Sequence, residues 1–349
     1  MSESEHGPKP PGEACAGARL HIVTGKGGTG KTTAAAALAL ALASGGARVL
    51  LVEVEGRQGV ATLLGSPPLP YEEREMMAAP GGGSVSVLAA DAEAALLEYL
   101  EMFYGMRRAG QALNRLGAVD FATTIAPGLR DVLLTGKATE AVRRRRGGRR
   151  SRSAEGAPTA PFHYDAVVMD APPTGRIAQF LNVNSEVAGL ARVGPIRNHA
   201  DRVMEVIRSG QTRVHFVSLL EEMPVQETRD GIAEVGGLGL NVGAVLVNMV
   251  RRPLLDEADL AAAAEGETDL DALAAGLKEA RLEDARELAA ALAGELRAHA
   301  LRVRLERRMR SDLEGLGRPL LELPLLEGGV DRAALDSLAR RLVGQGVRL

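Results

Sequence analysis

The chain is expected to fold as an α/β domain built on a doubly wound, mostly parallel sheet with helices on both faces. Three observations predict this. Strand-like apolar runs alternate with helix-length segments along most of the 349 residues. Several runs are continuous in β-branched residues or leucine, as strands covered on both sides are. A glycine-rich loop, Gly25-Lys26-Gly27-Gly28-Thr29-Gly30-Lys31-Thr32-Thr33, directly follows the first run and opens into an alanine- and leucine-rich stretch.

Taken in order, residues 1–18 carry acids and prolines without an apolar core segment, and read as a disordered tail rather than a secretion signal. The domain is expected over 19–349. Leu20–Val23 is its first strand. Ala34–Ala43, in the helix after the loop, is the longest apolar run; it has about half the length a bilayer core needs, so no segment should span a membrane. Val49–Val54 and Val85–Ala89 are the next strands. Asp91–Val142 reads as helical, with Leu96, Leu100, Phe103 and Tyr104 at three- and four-residue spacing. Arg143–Arg152 holds seven arginines in ten residues. With the Ser/Gly/Pro-rich sequence to Pro161 it reads as a basic flexible loop, about 143–161, because like charges repel and nothing apolar anchors them. A site for an acidic partner or anionic lipid is the competing reading.

Ala166–Asp170, Arg213–Ser218, Val242–Asn248 and Pro319–Leu323 supply the remaining strands. Leu181–Ser209 is a second helical stretch. The two stretches, about 91–142 and 181–209, are too long for simple crossovers and are expected to form a helical insert subdomain over the carboxyl edge of the sheet, where ligands bind in such folds. Asp256–Arg310, rich in Ala, Glu, Leu and Arg, reads as amphipathic helices forming an outer packing layer.

Composition narrows the classes. A net charge of −3 gives no overall pull toward nucleic acid or membrane. Cys15 is the single cysteine, so an intrachain disulfide, a C-x-x-C zinc site and an iron–sulfur cluster are excluded, and a reducing, cytoplasmic setting is expected. The six histidines show no metal spacing and read as structural or surface groups. With no tryptophan and 3% aromatics, small aliphatic side chains must do the packing.

The chemistry sits in the loop. It fits G-x-x-x-x-G-K-[ST] with an additional lysine, Lys26. Its glycines let successive N–H groups form an anion cradle, and the following helix adds its positive dipole end. Lys31 would reach the β- and γ-phosphates, and the Thr32 hydroxyl would ligate Mg²⁺. The same residues also satisfy G-x-G-x-x-G (Gly25, Gly27, Gly30), with Glu53 ending the next strand, which is a dinucleotide-binding spacing. A dinucleotide fold does not require Lys31-Thr32, so the triphosphate reading leads. The chain has 37 Arg and only 5 Lys, yet two of those lysines lie in this loop, where a compact ammonium suits a phosphate. Asp170 ends a strand before Ala171-Pro172-Pro173-Thr174-Gly175 and supplies the acid that orders the metal and its waters. Glu53 and Glu55 fall on one side of their strand by alternation, and Glu55 sits at the tip beside Gly56, where a carboxylate can hold the attacking water. Solvated strand-end charges are the alternative.

These residues carry a resemblance. Lys26–Thr33 is similar to the deviant phosphate loop (deviant Walker A) of the dimeric SIMIBI-class P-loop NTPases. Within that class the chain most resembles the arsenical-pump-driving and tail-anchored-protein-targeting ATPase family, in its actinobacterial anion-transporting-ATPase-like branch. The matching segments are Asp170–Arg176, Ala126-Pro127-Gly128, Glu222 with Glu227-Thr228, and Val247-Asn248. The resemblance implies a Mg²⁺-dependent ATPase working as a face-to-face dimer, homodimeric or heterodimeric with a paralogue. Lys26 would act on the partner's phosphates, Asn248 would read adenine, and Pro324 within Leu323-Pro324-Leu325 would pack on it. Catalytic roles are thereby implied for Lys26, Lys31, Glu55 and Asp170, nucleotide contacts for the loop residues Gly25–Thr33, and metal contacts for Thr32 and Asp170. Closure on ATP would couple the γ-phosphate to a hydrophobic or membrane-protein client, from a cytoplasmic or peripheral membrane position. No nucleic-acid partner is implied.

Two departures qualify this. Glu55-Gly56 stands where the family has aspartate then proline, which moves the carboxylate by roughly one bond length. The zinc-clamp and arsenic-binding cysteines are missing. A weakly hydrolysing subunit of a heterodimer and a positioning ATPase of the septum or partition type are therefore the alternatives. Met102, Phe103, Tyr104 and Met106 read either as core or as the lining of a client groove.

Overall fold

The computed structural model describes residues 14–104, 127–146, 160–182 and 195–349. In chain order the elements are β1 (Leu20–Gly25), α1 (Lys31–Ala43), β2 (Arg48–Glu53), α2 (Gly59–Leu63), β3 (Arg74–Ala78), β4 (Ser84–Ala89), α3 (Ala92–Tyr104), α4 (Pro127–Arg143), β5 (Ala166–Asp170), α5 (Thr174–Leu181), α6 (Pro195–Ile207), β6 (Thr212–Ser218), α7 (Glu222–Gly237), β7 (Val242–Val250), α8 (Glu257–Glu265), α9 (Leu270–Glu279), α10 (Ala285–Glu314), β8 (Leu320–Pro324) and α11 (Arg332–Gly344). The strands form one sheet in the order β3-β4-β2-β5-β1-β6-β7-β8. Every described pairing is parallel except that of β3 with β4.

All seven predicted strands are present, and the doubly wound fold class holds. The missed strand is the antiparallel edge strand β3, Arg-Glu-Met-Met-Ala. Only Met77 in it is buried, so it lacks the apolar alternation by which a strand is read.

β2, β5 and β1 lie side by side, so the loops leaving them open next to one another at the carboxyl edge. Register makes this definite: Asp170 pairs with Val23 on one side and with Glu53 on the other. Two apolar layers sandwich the sheet. On one face α1 is buried throughout Ala34–Ala43, between the sheet and α11. A helix that is apolar all round requires this double cover. On the other face, α4 contributes Val132, Leu134, Ala138 and Val142, and α6 contributes Ala200, Val203 and Ile207, to one core with Ile22, Leu50 and Met169. The described parts of the two helical stretches are thus a layer on the sheet face, whereas residues 105–126 and 183–194 lie outside the described residues.

The stem of the arginine-rich segment is held. Arg144 pairs with Glu73, Arg143 with Glu205, and Arg145 forms a β-bridge with Phe162. The Phe162 ring lies between the guanidinium groups of Arg19 and Arg145, 3.3 and 4.1 Å from its centroid. Residues 147–159 lie outside the described residues. The outer layer read over Asp256–Arg310 is α8, α9 and most of α10; a small separate cluster of Leu260, Ala263, Ala264, Ala300 and Val303 joins α8 to α10. Among the described residues no helix is long and apolar enough to cross a membrane.

Ala14–Ala18, read above as the end of a tail, turns under the sheet and buries Cys15 beside His21 and His215. A register shift between β6 and β7 accompanies a hydrogen bond from the Ala244 N–H to His215 Nδ1 at 3.1 Å. A Cβ at Gly243 would lie 2.6 Å from the His215 ring, so glycine makes the room. Because Nδ1 accepts, the neutral ring carries its proton on Nε2, which faces His21 Nδ1 at 3.1 Å. The two histidines thus form a buried, hydrogen-bonded pair. Burial pushes the Cys15 thiol up to about 12 and His21 down to about 4, and holds His215 well below the usual histidine range. The nearby Arg213 charge lowers both histidines further.

The sign follows directly. Both folded-state values lie below the unfolded one, about 6.5, so the unfolded chain binds more protons as pH falls. Stability from this pair is full above about pH 6.5 and is lost toward pH 4. The thermal unfolding midpoint should fall between pH 7 and pH 5, and fall less in a His21→Asn, His215→Asn chain. Equal profiles for the two proteins would contradict this account.

Candidate functional site

The phosphate loop is shaped by contacts that only glycine permits. A Cβ at Gly25 would lie 2.3 Å from the Val217 carbonyl oxygen. Gly30, at φ +83°, begins the turn into α1, and a Cβ there would lie 2.3 Å from Asn248 Nδ2. Gly27 and Gly28 are exposed at the tip. Inside the loop, the Thr29 hydroxyl donates to the Lys26 carbonyl at 2.8 Å. Asn248 Nδ2 donates to the Thr29 carbonyl at 2.9 Å. In this structure, the residue expected to read adenine braces the loop from β7.

Lys31 starts α1 and is only 8% exposed. Thr32 Oγ1 donates to Asp170 Oδ2 at 2.6 Å, while Thr33 is half-buried in the same turn. Asp170 is 6% exposed, and its other oxygen, Oδ1, is buried without a hydrogen-bond partner. Burial raises its carboxyl to about 6, against the Thr32 hydrogen bond and the Lys31 charge, with Glu53 and Glu55 raising it further. A buried carboxylate oxygen without a partner, beside a hydroxyl, is a donor set suited to a hard divalent cation. Mg²⁺ fits these residues. The loop behind Asp170 is tied to β1 through Thr24 Oγ1, which donates to the Pro172 carbonyl at 2.7 Å.

The two glutamates divide. Glu53 is 3% exposed, and its carboxylate accepts from the Gly59 and Val60 N–H groups at 2.7 and 3.1 Å. The alternative of a solvated strand-end charge does not describe it. The Glu55 side chain is 20% exposed and lies 3.9 Å from the exposed Arg57. Lys26 forms an ion pair with Glu227 of α7 in the same chain. Pro324, at the exposed end of β8, pairs with Val250, and a register shift between Val247 and Val250 places Asn248 and Met249 beside Gly30. Met249 holds φ +55° there.

The structure thus gathers Gly25–Thr33, Asp170 and Asn248 by direct contact or chain continuity, with Glu55 leaving the strand end that faces Asp170 and Pro324 one strand beyond Asn248. Met106 and Ala126 lie outside the described residues. Of Met102, Phe103 and Tyr104, only the backbone, in the last turn of α3, is described. Sequence reasoning did not find Gln58 or the pairing of Lys26 with Glu227. The first has no motif, and the second joins positions 201 residues apart.

Asn248→Ala removes a buried hydrogen bond worth about 1 kcal/mol, and should weaken nucleotide binding roughly fivefold. Titration with a fluorescent ATP analogue checks this, and unchanged affinity would mean that the brace does not matter.

Comparison with known proteins agrees with this geometry. Residues 20–298 match the model of the CobQ/CobB/MinD/ParA nucleotide binding domain. The chain is similar to the ATPase BagA of Mycobacterium tuberculosis, with 50% identity over 332 residues, covering 95% of this chain and 94% of that one. It is also similar to the ATPase GET3 of Kluyveromyces lactis, with 24% identity over 275 residues, covering 69% and 74% of the two chains. By its loop, its sheet and these matches, the chain belongs to the CobQ/CobB/MinD/ParA family of P-loop nucleotide-binding domains.

Proposed function

We propose that this protein is a Mg²⁺-dependent ATPase of the arsenical-pump-driving and tail-anchored-protein-targeting branch, working as a nucleotide-switched dimer. The observation that carries the reading is the meeting of Lys31, Thr32 and Asp170, with a buried Asp170 oxygen left free of hydrogen bonds. The loop amides and Lys31 hold the triphosphate. Thr32 and Asp170 hold Mg²⁺, which when bound neutralises phosphate charge. Glu55 orients the attacking water, and its carboxylate accepts the proton the water loses. Lys26 must leave Glu227 to reach a partner subunit's phosphates, so dimer closure exchanges one ion pair for another.

Coupling to a client runs through the Asp170–Arg176 segment. Arg176 on α5 lies 3.9 Å from the buried carboxylate of Asp131 on α4, which links the loop after Asp170 to the helical layer. A hydrophobic or membrane-protein client, met from a cytoplasmic or peripheral membrane position, fits this arrangement. The test is sedimentation of Asp170→Asn with and without ATP and Mg²⁺, together with turnover of the parental chain. A dimer that forms only with nucleotide, and Mg²⁺-dependent phosphate release, are expected. Absence of turnover together with a nucleotide-independent monomer would refute the reading.

Glu55 in place of aspartate supports a second reading, a weakly hydrolysing subunit paired with a paralogue. An ordinary rate for the purified chain alone disposes of it.

A further inference from the structure

A five-residue loop, Val54 to Gln58, carries Glu55 between β2 and α2. Gln58 holds φ +54°, which a residue with a Cβ seldom adopts. Such a conformation persists where the surroundings over-determine it. Two side chains do so. Glu53, the last residue of β2, turns its carboxylate forward along the chain and takes the Gly59 and Val60 N–H groups, at 2.7 and 3.1 Å. Gln58 stands at the cap position of α2 but makes no side-chain capping bond there, so Glu53 serves those amides instead. The Gln58 amide is spent elsewhere. Its Oε1 accepts from the Leu69 N–H at 2.8 Å and its Nε2 donates to the Leu69 carbonyl at 3.1 Å, as a neighbouring strand would. Leu69 is itself buried.

Both ends of the loop are thereby fixed to ordered backbone. β2 lies inside the sheet between β4 and β5, with Glu53 in register with Asp170. Among the described residues, the Glu55 side chain is held only by the long contact to the exposed Arg57, which contributes little. Its placement must come from its anchors.

We propose that Glu53 and Gln58 are positioning residues for hydrolysis: they clamp the Val54–Gln58 loop so that the Glu55 carboxylate stands at one place relative to the attacking water. The inference rests on the reading of Glu55 given above. Neither residue touches the reacting atoms.

Gln58→Asn tests one clamp. Asparagine keeps the amide and tolerates positive φ better than most residues, but it is a methylene too short to reach Leu69. Glu53→Gln tests the other, since it leaves an acceptor for one amide and presents an NH₂ group to the second. Each is made in the full-length chain, alone and in the Glu55→Gln background, and assayed with ATP and Mg²⁺.

Each single change should lower kcat by roughly ten- to a hundredfold, the scale of a small misplacement. Affinity for a fluorescent ATP analogue should stay within about twofold. In the Glu55→Gln background neither change should lower kcat by more than about twofold further, because the group they place is already disabled. A structural role would instead depress the unfolding midpoint and nucleotide affinity together, and would multiply with Glu55→Gln; that pattern overturns the inference. Parental kcat in both clamp variants beside a slow Glu55→Gln overturns the inference alone. Parental kcat in Glu55→Gln overturns the reading of Glu55, and this inference with it.

Discussion

Lys31→Ala should lower steady-state ATP turnover by about a thousandfold, the upper end of what one buried, preorganised donor contributes to a charged transition state. Lys31 is the first residue of α1, 8% exposed, and close enough to Asp170 to lower its carboxyl. Its ammonium is therefore held in a low-dielectric site at the positive end of a helix, where water cannot replace it. Alanine is the best helix former, and α1 is already built largely from it, so the fold should survive. Phosphate release and the unfolding midpoint, measured on the same preparation, separate the effects. Turnover within tenfold of the parent, with an unchanged midpoint, would remove Lys31 from the mechanism.

The second largest effect is expected for Glu55→Gln, a loss of about a hundredfold in kcat with ATP affinity nearly unchanged, the scale for a group that positions or deprotonates a nucleophile. The substitution keeps size and shape and removes only the charge and one acceptor. Its side chain is partly exposed and its contact with Arg57 is loose, so little stability depends on it. A variant that hydrolyses like the parent would remove Glu55 from the mechanism.

Much of the fold was legible because its signals are local. Strands buried on both faces appear as apolar runs, and β5 ending in Asp170 before two prolines marks a strand-end loop without any knowledge of neighbours. β3 was not legible. An edge strand with one buried side chain has almost no period to read. Alternation put Glu53 and Glu55 on one side of a strand read to Val54, but β2 ends at Glu53 and Glu55 lies in the loop beyond it, so alternation does not say which of them finds a backbone amide. That depends on how the chain turns after Gly56, and the turn brings Gly59 and Val60 back to Glu53. Cys15 misled in the same way: polar neighbours suggested a tail, but the pocket beside His21 and His215 buries it.

The sequence by itself determined the phosphate loop with its two lysines, the strand-end position of Asp170, and the doubly wound sheet. Each is signalled by residues near in the chain, whose spacing fixes local geometry, whereas the meeting of Thr32 with Asp170, 138 residues away, is a tertiary contact. Only the tertiary structure decided that Lys26 rests on Glu227, that Asn248 braces Thr29, and that Glu53 and Gln58 clamp the loop of Glu55. Those contacts arise when packing brings together the ends of different strands and loops, and a hydrogen bond or ion pair formed there leaves no periodic trace in the sequence.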